Sequence, residues 1–170
     1  MQYSVEEADP LRCPASQPEP NQLANSEKIG RVLYSAIAPS GVPDERTFPI
    51  CDLLLERVGA VDHDCGNSDG VSVQRAPPAT LEKLILKSQE LAARKPGRTA
   101  GGVAFTLVSV LRSIKIPGVS GQVVFVLTDG SDADPGHAVI RMSPQVPDGL
   151  RKKVRKDIID AFRSNIIPAS

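Results

Sequence analysis

The run "VVFVL" at residues 123–127 constrains this chain more than any other stretch. Apolar residues in succession leave neither face of a strand polar, so a strand here must be covered on both sides. That requires a sheet with packing material above and below it. The rest of the sequence reads as a supply of both strands and helices.

The clearest helix follows Thr80, a residue type that accepts hydrogen bonds from the exposed amides of a first turn. Leu81, Leu84, Ile85, Ser88, Leu91 and Ala92 recur on one face, and Pro96-Gly97 ends the segment. A second amphipathic helix spans 148–164, where Leu150, Val154, Ile158 and Phe162 step by four and Asp148 is the expected N-cap. "VSVQR" alternates as a strand does, with Val71 and Val73 opposite polar neighbours, and "AVIRM" (138–142) reads as a shorter strand.

Three segments resist a single reading. "SEKIGRVLYSAIA" (26–38) predicts a helix capped by Ser26 that buries Ile29, Val32, Leu33 and Ile37, although Gly30 and the β-branched residues leave a strand open. "ICDLLLERVGAV" suits a short helix or a buried strand. "GGVAFTLVSVLRSI" carries apolar residues on both possible faces. Interleaved helices and strands predict an α/β or α+β fold: one compact domain over 26–170 with a mixed sheet and a long C-terminal amphipathic helix. Residues 1–25, with Pro10, Pro14, Pro18 and Pro20 among polar residues, are expected to form a flexible tail.

Charge narrows the partners. Lys+Arg and Asp+Glu stand at 20 each, so no overall field draws the chain to nucleic acid or to an anionic membrane. There is no Trp, with two Tyr and four Phe, too few rings for a base-stacking platform. The acidic start "MQYSVEEADP" is not expected to act as a secretory signal, and the longest uncharged run, "TAGGVAFTLVSVL", is too short to span a bilayer. Cys13, Cys51 and Cys65 are irregularly spaced and odd in number, so a disulfide framework is not expected and a cytoplasmic location is.

The chemistry-bearing stretch is "TDGSDADPGHAVIRM" (128–142), which packs Asp129, Asp132, Asp134 and His137 between two strands. Carboxylates beside an imidazole are candidate ligands for a divalent cation, through Asp132, Asp134 and His137 above all. Asp, Gly, Ser and Pro are also what a strand connection contains. His137 is a candidate base for a cysteine nucleophile, either Cys51, placed to begin a helix, or Cys65. In strand phase His137, Val139 and Arg141 share one face and Ala138, Ile140 and Met142 the other. "DHDCGNSDG" departs from a calcium loop, since Gly66 and Val73 stand where oxygen ligands are needed. The basic run "RKKVRK" (151–156) reads as the solvated face of the last helix, with Val154 turned inward.

From "VSVQR" to the final helix, the order of elements resembles a group of small bacterial proteins of unassigned activity. Those carry a D-x-P-x-H-A-x-[IV] motif near the C-terminus, matched here by Pro135 through Ile140, with Asp132 or Asp134, each one position from the motif's spacing, as the acidic residue. The resemblance covers residues 26–165 and implies a bacterial cytosolic protein from a small gene cluster. The segment from Gly97 to Gly130 also resembles the later half of von Willebrand A-type domains, with Thr99 and Asp129 at metal-site positions, but the defining Asp-x-Ser-x-Ser is absent from residues 1–96.

Together these readings predict a non-catalytic protein-binding or accessory module that works with a gene-cluster partner. Asp129, Asp132, Asp134, His137 and Arg141 form its expected binding surface. No cofactor and no nucleic-acid or membrane partner is expected, while self-association is compatible with the chain. The alternatives are a Cys/His hydrolase using Cys51 or Cys65 with His137, and a divalent-metal module around Asp129 to His137.

Overall fold

In a computed structural model of the chain, the structure describes residues 23–54, 70–119, 121–128, 133–143 and 146–169. Residues 1–22 of the tail expected over 1–25, together with Cys65, Asp129 and Asp132, lie outside them.

Six strands form one sheet: β1 (Lys28–Tyr34), β2 (Val71–Ala76), β3 (Ala100–Leu107), β4 (Val124–Thr128), β5 (His137–Met142) and β6 (Ile166–Ile167). Their order across the sheet is β4-β5-β2-β1-β3-β6. Among the described residues four helices accompany them: α1 (Ile50–Leu53), α2 (Leu81–Ala93), α3 (Val108–Arg112) and α4 (Asp148–Arg163). The chain is thus a single compact domain of interleaved strands and helices, closed by a long amphipathic helix.

The sheet is antiparallel throughout in place of the mixed sheet expected. The reason lies in β1. Both β2 and β3 pair antiparallel to it, so they run parallel to each other across the α2 crossover, yet β1 sits between them and no parallel pair forms.

Segment 26–38 is a strand and its flanks, and Ser26 caps nothing. Ser26 falls in a turn closed by Glu27 N–H donating to Ala24 C=O at 3.0 Å. Ile29 and Leu33 face the larger core, while Val32 faces α2 with Leu84, Val103 and Phe105. A strand covered on both faces loses its alternation and imitates helical spacing. The same burial explains "GGVAFTLVSVLRSI", which splits into β3 and then α3.

The larger core lies between the sheet and α4. Val154, Ile158 and Phe162 are fully buried there, and each such side chain contributes about 1.5–3 kcal/mol. Phe162 meets Phe48 with ring centroids 5.0 Å apart. Pro147 is the N-cap of α4, and Asp148, one residue inside, pairs with Arg151 at 2.9 Å. On the opposite face α2 begins as expected, with Thr80 Oγ1 accepting from Lys83 N–H at 3.3 Å.

Buried Ser88 on α2 bridges an irregularity in the sheet. The β1–β3 register slips between Leu33 and Tyr34, and the Ser88 hydroxyl donates to Leu33 C=O while accepting from Gly102 N–H at 3.0 Å. Gly102 has φ +93°, and a Cβ there would strike the Ile167 carbonyl of β6, so both its conformation and its space require glycine. Just ahead of β1, Leu23 is buried and donates its N–H to Val126 C=O of β4 at 3.2 Å. Among the described residues no helix is long and apolar enough to cross a membrane.

Candidate functional site

A groove lies on the α2 side of the sheet, over β2 and the start of β5. Strand phase builds its floor. Ser72 opposes Val139 and Gln74 opposes His137 across the β2–β5 ladder, so all four project away from the larger core. His137 Nε2 lies 3.2 Å from Ser72 Oγ, a diagonal contact between neighbouring strands.

The Asp-Pro-Gly turn ahead of β5 forms one lip. Gly136 C=O accepts from Arg75 N–H at 2.7 Å, and a Cβ on Gly136 would come within 3.0 Å of Gln74 Oε1. This close approach sets Asp134 over the groove. Gln74 Nε2 donates to Asp134 Oδ2 at 3.1 Å, and Lys87 Nζ of α2 approaches the same oxygen at 3.7 Å. The carboxylate therefore ties the turn to both the strand and the helix.

This tie divides the groove into two lobes. One encloses about 250 Å³ and is walled by Val32, Leu91, Ser72 and His137. The other encloses about 180 Å³ between Ala79, Leu84 and the turn from Ala133 to Gly136. Gln74, Lys87 and Asp134 line both.

At the far end of the first lobe, β1 and β2 part. Their pairing stops at Gly30–Gln74, although β1 continues to Tyr34 and β2 begins at Val71. Arg31 crosses the opening. Its Nη1 donates to Ser72 C=O at 2.9 Å, and Nε and Nη2 donate to Thr47 C=O at 3.4 and 3.2 Å. Burial pulls the Arg31 guanidinium well below its usual value, to about 10, against the opposing influence of Tyr34 and Asp52.

Of the residues singled out from sequence, the structure brings Asp134 and His137 to the same groove. Arg141 shares the strand face of His137 but is buried, 1% exposed, with its Cγ beneath Gly70. Cys51 is exposed on α1, whose Leu53 packs into the larger core, on the other side of the sheet from His137. Cys65, Asp129 and Asp132 lie outside the described residues, among which no group of three His, Cys, Asp or Glu side chains is placed to hold a metal ion.

The basic run on α4 is largely matched along its own helix. Lys153 pairs with Asp157 at 3.1 Å, Lys156 with Asp160 at 2.8 Å, and Val154 points inward as expected.

Ser72, Gln74, Lys87 and Arg31 were not singled out from sequence. Two signals could have found them: the polar positions of "VSVQR" mark one exposed strand face, and Lys87 falls within the α2 stripe between Leu84 and Leu91. Nothing local announces the opening at Arg31. Comparison with known protein families, with curated proteins and with solved structures finds no match to this chain.

Proposed function

We propose that this chain is a non-catalytic protein-binding module that receives a segment of a partner protein in the groove between α2 and strands β2 and β5. The observation that carries this reading is the pair of lobes separated by the Asp134–Gln74–Lys87 tie. Each lobe is of side-chain size and has apolar walls, and the polar groups between them are already held in place. Fixed polar groups among apolar walls recognise a ligand with little ordering cost at the moment of binding. The resemblance to bacterial gene-cluster proteins makes a neighbouring gene product the partner to try first.

Panning a displayed peptide library against the purified protein tests the reading. We expect enriched peptides whose binding protects the amides of residues 72–74 and 133–137 from hydrogen exchange and is lost in Asp134→Lys. Enrichment indifferent to that substitution, or none at all, would count against it.

One contact favours a second reading. Ser72 Oγ, 3.2 Å from His137 Nε2, has the spacing of a nucleophile and its general base. A hydrolase reading would therefore use Ser72 in preference to Cys51 or Cys65. It requires fluorophosphonate labelling of the wild type that disappears in both Ser72→Ala and His137→Ala, whereas the binding module gives no labelling.

A further inference from the structure

We infer that the opening between β1 and β2 is a carboxylate site, and that it takes the C-terminal end of a peptide whose last side chain is apolar. The inference rests on the groove's being a protein-binding surface and specifies which part of the partner enters it.

The first argument comes from the ladder. Arg75 N–H bonds toward β5, so Ser72 and Gln74, one residue out of phase, direct their main-chain groups toward β1. Gly30–Gln74 is the last rung, and the next would join Val32 to Ser72. That rung is missing. The N–H and C=O of Val32 and the N–H of Ser72 therefore face a gap with no strand partner, at residues that line the cavity. A row of main-chain donors and acceptors of this kind binds extended peptide as a neighbouring strand would.

The second argument is charge. Lys87 is matched by Asp134, but the Arg31 guanidinium donates only to the carbonyls of Thr47 and Ser72. Those bonds leave an N–H on each terminal nitrogen of this cavity-lining side chain, and no carboxylate among the described residues is in ion-pair contact with it, Asp52 acting on the charge from beyond that range. A desolvated cation held by neutral acceptors gains from an anion, and carboxylate suits the planar fork of guanidinium. A peptide terminus satisfies both requirements. Its carboxylate meets Arg31 and the Ser72 N–H, its last amide N–H reaches Val32 C=O, and its last side chain lies against Val32 and Leu91.

The test is an amide NMR titration of the whole protein with N-acetyl-leucine, N-acetyl-leucinamide and inorganic phosphate. We expect the acid to shift the Val32 and Ser72 amides and the Arg31 Nε–H, at an affinity about ten-fold or more above the amide and the phosphate. Ser72→Asp, which sets a fixed carboxylate beside the gap on an exposed strand position, should retain a folded spectrum and lose the response. Equal responses to acid and amide, or shifts elsewhere, overturn the inference. Tighter binding of phosphate also overturns it, assigning the site to a free inorganic anion. If library peptides still bind the groove while N-acetyl-leucine does not, the carboxylate site fails and the protein-binding reading stands.

Discussion

The hydroxyl of Ser88, buried on α2, donates to the carbonyl of Leu33 at the point where the β1–β3 register slips. One side chain thereby satisfies a main-chain acceptor that the irregular ladder leaves over, and through Gly102 N–H a donor as well. Ser88→Ala removes the bridge and leaves both groups buried. A loss of about 2 kcal/mol is expected, with Tm falling by roughly 4–8 °C for a domain of this length. Chemical denaturation and calorimetry read both, and a change below about 0.5 kcal/mol would show that the bridge adds nothing.

Asp134→Asn separates stability from recognition. The Lys87–Asp134 pair is about half exposed and 3.7 Å long, so its loss should cost well under 1 kcal/mol. The groove's central tie loses its charge, however, and affinity for any peptide selected on the wild type should drop about ten-fold. Parallel denaturation and fluorescence-anisotropy measurements decide it. Equal binding by both proteins removes Asp134 from the recognition surface.

Gly102→Ala acts at the edge of the sheet. The new methyl meets the Ile167 carbonyl, and the positive φ adds strain of its own. We expect β6 to detach from β3, with hydrogen-exchange protection lost at residues 166–167 and global stability reduced by more than about 1 kcal/mol. Unchanged protection there would mean that the strands relax around the methyl.

Phe162→Ala empties the centre of the larger core. Phe162 is fully buried against Phe48, and truncation of such a ring costs about 3–5 kcal/mol. The midpoint in urea should fall with an unchanged slope. A loss below about 1 kcal/mol would place the main α4 contact elsewhere.

Legibility of the fold followed how many faces each element buries. Helices α2 and α4 each cover one side of the sheet, so their periodicity could be read directly, as could the Thr80 cap of α2, whereas the cap of α4 falls on Pro147, one residue ahead of the Asp148 expected. β1 and β3 are covered on both sides, and their apolar residues carried no usable period. The site divided in the same way. Asp134 and His137 stood out because charged residues beside a strand are conspicuous. Arg31 and Ser72 act through a missing rung between strands, a relation between residues 41 apart along the chain that neither segment displays by itself.

The hydrogen bond from Leu23 to Val126 bears on how the molecule behaves in company. An outermost strand with bare main-chain groups is a template on which further chains stack, and a single turn of backbone laid against β4 blunts it. A shortened protein starting at Ser26 would lose that guard, and the buried Leu23 side chain with it, and show concentration-dependent light scattering.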